Sequence, residues 1–170
     1  MPRLHVCSLA RVEEVAAQTR AGALVTLLSP GTAHVRPAGL AAERHLVLDV
    51  SDIVTPQPGY VTPAAAHVSR LIDFVFAWDR QAPMLIHCYA GVSRSTAAAF
   101  IAACAIAPAR PERQIALALR DASPTASPNL RLVALADDLL QRDGRMRDAI
   151  AAIGRGLECE EGEPFALGLG

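Results

Sequence analysis

The chain contains no lysine: all sixteen of its basic residues are arginine. Against 17 acidic residues they leave a net charge of -1, which excludes a general affinity for nucleic acid or an anionic membrane surface. Any recognition of anions must therefore be local. No apolar run reaches the length of a membrane span, and the opening residues Met1-Pro2-Arg3-Leu4-His5 lack the apolar core of a signal peptide. The four cysteines, Cys7, Cys88, Cys104 and Cys159, are widely spaced without a CxxC pair, so a reducing, cytoplasmic setting is expected and no metal or other cofactor site is read. Internal repeats and linker-like stretches are missing too. That leaves a single domain over residues 1–170, for which 52% hydrophobic residues supply an ample core. Arginine-only basicity with abundant alanine fits a GC-rich, bacterial genome.

What the chain does have is His87-Cys88-Tyr89-Ala90-Gly91-Val92-Ser93-Arg94-Ser95. The preceding Pro83-Met84-Leu85-Ile86 suits a buried strand, and the alanine-rich run from Ser95 to Ala107 suits a buried helix. In a strand, tight loop and helix arranged in that order, the loop amides of Tyr89, Ala90, Gly91, Val92 and Ser93 and the first free amides of the helix converge on one spot, an anion nest. Arg94 adds a planar fork able to hold two oxygens of a phosphate, which lysine cannot do. The same field favours the thiolate of Cys88, so the pattern reads as a phosphate cradle with a nucleophile at its floor. A buried, inert cysteine opening a helix is the bland alternative.

Periodicity predicts a strand over Leu4–Cys7, a helix over Leu9–Arg20 capped by Ser8, and strands over Ala23–Leu28 and Leu46–Val50. A helix is expected from Thr62-Pro63, with the threonine as cap, proline in the first turn, and Val68, Leu71, Ile72, Val75 and Trp78 on one face. Helices over Pro111–Ala122, Asn129–Gln141 and Arg145–Ile153 follow the catalytic strand and helix. Alternation first and helices last imply an α/β three-layer sandwich with a mainly parallel central sheet and a helical C-terminal third. Cys88 then lies at the carboxyl end of a central strand, where such sheets place their ligands. Residues 157–170 read as an acidic tail whose Phe165-Ala166-Leu167 either docks as an edge segment or stays disordered. Arg142, Arg145 and Arg147 read as a solvated helix end, with the gathering of acidic substrates as the alternative.

A poor leaving oxygen must be protonated as it departs, so a carboxylic acid is expected opposite the loop. Leu48-Asp49-Val50-Ser51-Asp52-Ile53 offers two. Asp49 falls inside the strand and Asp52 in the loop just beyond it, which favours Asp52. The prolines that follow, Pro56, Pro58 and Pro63, predict a stiff segment.

His87-Cys88-x5-Arg94-Ser95 resembles the signature of the cysteine-dependent protein tyrosine phosphatase superfamily, above all its compact, dual-specificity-like branch. The longer pattern, from His45-Leu46 through Asp52-Ile53 to Ile86-His87 and on to Ala99, resembles a bacterial group of small tyrosine-phosphatase-like proteins. The resemblance implies a phosphatase fold and a phosphate monoester hydrolase working through a cysteinyl-phosphate, with Cys88 as nucleophile, Arg94 on the phosphate and Asp52 as general acid. Ser95 would then stabilise the departing Cys88 thiolate and His87 would hold the loop; Asn129, in Ser127-Pro128-Asn129, is similar to a Pro-Asn found near the site of dual-specificity relatives, although Leu130-Arg131 departs from the Gly-Phe that follows there.

A phosphorylated protein or small phosphomonoester is the implied partner, with phosphate, sulfate or vanadate as site ligands. The loop carries no lysine, which disfavours a polyphosphorylated inositol. Two other readings use the same residues: a rhodanese-type sulfurtransferase, which needs no acid at Asp52, and a catalytically silent phosphopeptide-binding module. Cys7 or Cys104 is a candidate partner for a protective disulfide with Cys88.

Overall fold

A computed structural model describes residues 2–170; Met1, part of the opening segment read above, lies outside the described residues. Five strands, β1 (Arg3–Ser8), β2 (Ala23–Leu28), β3 (His45–Asp49), β4 (Met84–Cys88) and β5 (Phe165–Gly168), form one sheet in the order β3-β2-β4-β1-β5. The first four run parallel; β5 alone is antiparallel, pairing Arg3 with Gly168 through Val6 with Phe165. Phe165-Ala166-Leu167 of the tail therefore docks as an edge strand. β4 lies in the middle of the sheet, buried at every residue, as its unbroken apolar run requires.

Helices cover the two faces unequally. On one side stands only α1 (Val12–Thr19), whose Val12, Val15 and Ala16 meet Cys7, Leu24 and Leu85 from the sheet. Against the other face pack α2 (Ala65–Ala77), α3 (Arg94–Ile106), α4 (Glu112–Ala122), α5 (Leu130–Leu139) and α6 (Arg145–Ile153). This is the expected three-layer α/β sandwich, with one layer a single short helix. α3 is enclosed by its neighbours, and every residue from Arg94 to Ala105 is buried. Its six alanines between Ala97 and Ala105 let the sheet and the surrounding helices approach without voids. No helix among the described residues is long and apolar enough to cross a membrane.

Several local expectations are corrected. Ser8 does not cap a helix; its hydroxyl donates to the Glu161 carboxylate, and a short 3-10 turn over Leu9–Arg11 intervenes before α1. Thr62-Pro63 stays outside α2, whose cap is Ala64, with the Ala64 N–H donating to His67 Nδ1 at 3.0 Å. Of the arginines around Gly144, Arg145 and Arg147 are exposed, as a solvated helix end requires, and Arg142 is not. Arg142 is buried and bonds Glu112 at 3.0 Å and the Cys104 carbonyl at 2.8 Å, Arg145 reaches Glu112 at 3.2 Å, and Arg147 pairs with Asp138. Those arginines thus tie α4, α3, α5 and α6 together.

Candidate active site

The carboxyl ends of β2, β3 and β4 converge, and the side chains singled out in the sequence meet there. Cys88 closes β4 with only 2% of its surface exposed. Its Sγ lies 3.0 Å from Ser95 Oγ, so that hydroxyl serves the sulfur rather than capping α3. No side chain caps α3 at all, which leaves the amides of its first turn for a ligand.

Every peptide bond in the described residues is trans, so each carbonyl points opposite to the N–H of the residue that follows it. In the loop after Cys88 the carbonyls are claimed from outside. Tyr89 O accepts from the Leu9 N–H at 3.1 Å, Ala90 O from Gly162 at 2.8 Å, Val92 O from Ser127 at 2.9 Å, and Ser93 O from Asn129 at 3.2 Å. The N–H groups of Ala90, Gly91, Ser93 and Arg94 are thereby turned inward. No N–H from Tyr89 to Ser93 has an acceptor among the described residues. Gly91 makes the bend at φ +73°, and a Cβ there would come within 2.8 Å of the Cys7 carbonyl carbon and the Ser8 nitrogen. Only glycine fits on both counts.

Arg94 roofs the cradle. One edge of its fork is fixed, Nη1 donating to the Val50 carbonyl at 2.9 Å and to Ser29 Oγ at 3.3 Å. Nε is buried without any partner, an orphaned donor that needs an anion. Ser29 and the Val50 carbonyl escaped sequence reading because Ser29-Pro30-Gly31 signals only a turn and a carbonyl has no residue code.

Asp52, in the loop beyond β3, reaches over the cradle. Its Oδ1 accepts from Ser93 Oγ at 2.7 Å and from Asn129 Nδ2 at 2.9 Å. Asn129 is the cap of α5, not its first turn: its Oδ1 accepts from the Leu132 N–H at 3.0 Å while its amide nitrogen also holds the Ile53 carbonyl at 3.2 Å. Changing Gly-Phe to Leu130-Arg131 has thus not removed Asn129 from the site. Arg131 adds its own brace, donating to the Pro63 carbonyl at 2.6 Å. The intervening segment is anchored at its ends by these contacts and by Ser51, whose N–H meets the Val61 carbonyl at 2.8 Å and whose hydroxyl accepts from the Val61 N–H at 3.0 Å. Asp49 ends β3 with an exposed side chain and does not line the cavity.

His87 is fully buried and satisfied. Its Nε2 lies 2.7 Å from Thr26 Oγ1 and its Nδ1 3.2 Å from the Cys88 carbonyl, and burial above all pushes its pKa down to about 4. Cys7 and Cys104 are buried thiols, each pushed up to about 12 chiefly by desolvation. Cys7 faces α1 while Cys88 belongs to the opposite core, and Cys104 stands nine residues beyond Ser95 on α3, about 14 Å along its axis. All four cysteines are free.

The resulting cavity of about 680 Å³ is floored by Cys88 and the loop and walled by Asp52, Asn129 and Arg155, with the exposed Cys159 also at its edge. Arg155 went unremarked in the sequence and Cys159 was read only as one of the widely spaced cysteines, since only the fold of the tail brings them there. No group of residues able to hold a metal ion occurs among the described residues.

No family model matches the chain, and no curated protein matches it by sequence. Its backbone is nonetheless similar to solved phosphatase structures. Human DUSP28 superposes with a TM-score of 0.62 at 21% identity, over 82% of this chain and 94% of that one. The Cydia pomonella PTP-2 phosphatase gives 0.62 at 21% identity, over 79% and 84%. PTPMT1 in complex with PI(5)P gives 0.61 at 12% identity, over 89% and 94%. The chain has the fold of the dual-specificity phosphatases.

Proposed function

We propose that the protein is a phosphate monoester hydrolase, a protein tyrosine phosphatase able to accept dual-specificity substrates, that works through a cysteinyl-phosphate. The observation that carries this reading is the pairing of a partnerless, buried Arg94 Nε with a ring of inward amides around Cys88. Such a site leaves fixed donors unsatisfied until a tetrahedral oxyanion enters. The phosphoryl oxygens take the loop amides and the free edge of Arg94, which sets phosphorus over Cys88 Sγ.

The thiolate of Cys88 attacks phosphorus and the ester oxygen leaves on the opposite side. Both bonds to Asp52 fall on Oδ1, so Oδ2 is the oxygen that carries a proton and delivers it to the leaving group. Water, deprotonated by the same carboxylate, then attacks the cysteinyl-phosphate. Phosphate and the thiolate of Cys88 are released, and Ser95 Oγ, 3.0 Å away, donates its hydrogen bond to the departing sulfur. A sulfurtransferase would have no use for an acid held over the loop by two donors. A silent binding module would not need the nucleophile and its hydroxyl partner.

Phosphotyrosine peptides and small aryl phosphates are the substrates this cavity favours. Ile53, Val54, Tyr89 and Leu130 all line it, offering an aryl group apolar contacts. Steady-state hydrolysis of a phosphotyrosine peptide and of phosphoserine and phosphothreonine counterparts tests it. The reading predicts turnover of the aryl ester first, competitively inhibited by vanadate, and absence of turnover on all three would refute it.

A further inference from the structure

Four outward carbonyls account for the inward amides of Ala90, Gly91, Ser93 and Arg94, but Tyr89 opens the loop, and its N–H shares a peptide plane with the Cys88 carbonyl. That carbonyl is gripped from inside the sheet, by a chain of side chains that starts far from the loop. His45 Nε2 lies 2.8 Å from Thr26 Oγ1, Thr26 Oγ1 lies 2.7 Å from His87 Nε2, and His87 Nδ1 lies 3.2 Å from Cys88 O. The chain crosses β3, β2 and β4, three adjacent strands.

We propose that Thr26 and His45 are positioning residues of the phosphate cradle: through His87 they orient and polarise the Cys88–Tyr89 peptide, so that the Tyr89 N–H becomes its fifth inward donor. The proposal rests on the loop being an anion cradle, as read above, and adds two residues that never touch the ligand.

The direction of every bond in the chain follows from elementary donor and acceptor rules. A carbonyl oxygen only accepts, so His87 Nδ1 carries a proton. Burial keeps His87 neutral, so its Nε2 is a lone pair and must accept. The Thr26 hydroxyl therefore donates to His87, and its own oxygen accepts from His45 Nε2–H. Reversing the chain would put the lone pair of His87 Nδ1 against the lone pairs of the Cys88 carbonyl. His45 is the outer end, half-buried, with the ring of His34 edge-on at 5.9 Å. Desolvation, His34 and Arg36 all disfavour a second proton on it, which leaves a neutral ring donating through Nε2. Each donated bond strengthens the next along a chain whose inner members, Thr26 and His87, are shielded from water, and the last one increases the positive end of the peptide at the Tyr89 N–H. Thr26 and His87 are both fully buried, so no water substitutes for either.

Thr26→Val keeps the shape and removes the hydroxyl; Thr26→Ser restores it; His45→Leu removes the outer donor, and His45→Gln keeps an N–H near the same place. Binding of inorganic phosphate by calorimetry and the Tyr89 amide proton shift by NMR are read on all four. Thr26→Val is expected to weaken phosphate binding about fivefold or more and to move the Tyr89 resonance, with His45→Leu showing the same signs to a smaller degree and Thr26→Ser and His45→Gln close to wild type. A Thr26→Val protein with wild-type phosphate affinity and an unmoved Tyr89 resonance overturns the proposal even if its melting temperature falls, as does a Thr26→Ser protein that behaves like the valine variant. Should Thr26→Val fail to fold, His45→Leu decides by the same two readings. Failure of the unmodified protein to bind phosphate strikes instead at the cradle reading, and the Tyr89 shift still judges the relay.

Discussion

Arg94 is the residue where charge and geometry can be separated. Its Nη1 is committed to Val50 and Ser29, so the proposed reading gives phosphate the opposite edge of the fork, which includes the unpartnered Nε. Arg94→Lys retains the charge but has a single ammonium for both tasks, and kcat/KM for p-nitrophenyl phosphate should fall by about two orders of magnitude or more. Activity near wild type would place phosphate elsewhere. Asp52 makes a prediction of a different form, because an acid matters in proportion to how badly the leaving group needs it. Asp52→Asn should lower turnover of a phosphotyrosine peptide by about 10² to 10⁴ and abolish the basic limb of its pH–rate profile, with a smaller loss on an activated aryl phosphate. Asp49→Asn, at an exposed side chain outside the cavity, should leave both profiles intact, and a reversed pattern would transfer the acid to Asp49. Cys88, the Ser95 hydroxyl beside it and Arg94 could be read from one nine-residue stretch because spacing within a tight loop dictates geometry. Ser29, the Val50 carbonyl, Thr26 and His45 could not, since each meets the loop only through strand pairing that joins residues far apart in the chain.

At the scale of elements, the loop is a template held from outside. Leu9 from the turn after β1, Gly162 from the tail, Ser127 and Asn129 from the connection between α4 and α5 each take one carbonyl. The tail is the least obvious of these. A Cβ on Gly162 would approach the Gly91 carbonyl oxygen to 2.9 Å, and Gly162 N–H is the donor to Ala90. Gly162→Val should therefore weaken phosphate binding as well as lower the melting temperature, by roughly 1–3 kcal/mol of strain, and a variant that loses neither would show that the tail only rests on the loop. Element types and order were legible because long apolar periodicities decide them. Helix starts were not: Thr62-Pro63 and Ser8 carry good capping chemistry, but tertiary contacts moved one helix downstream and sent the serine to Glu161 instead. The tail allowed Phe165-Ala166-Leu167 to be read either as a docked edge segment or as disordered, and β5 is the former, but nothing local announces that Gly162 returns beside the loop.

For the whole molecule, the buried His87 links the loop after Cys88 to stability. His87 is neutral in the folded state down to about pH 4, whereas in the unfolded chain it takes a proton near its ordinary 6.5. Between these values the unfolded state binds more protons, so stability is complete above pH 6.5 and falls as the pH is lowered toward 4, by on the order of 2–3 kcal/mol from this group alone. His5 and His45, also lowered chiefly by burial, act in the same direction. Urea unfolding from pH 7 to pH 4 measures this, and a His87→Gln protein should show a flatter profile; an identical slope in the two would contradict the assignment. The three-layer architecture was readable from the alternation of strands and helices, but the division into one helix against five was not, because periodicity says which face of a helix is buried and not which face of the sheet buries it. The central claim is that Cys88 attacks phosphorus in a cradle that binds the anion independently of the sulfur. Hydrolysis of p-nitrophenyl phosphate by the wild type and by Cys88→Ser, with phosphate binding measured on both, tests it most directly. We predict turnover by the wild type, loss of at least about 99% of it in the serine variant, and phosphate binding by both proteins, since the amides and Arg94 remain. More than about 1% residual turnover in Cys88→Ser, or no turnover in the wild type, would contradict it.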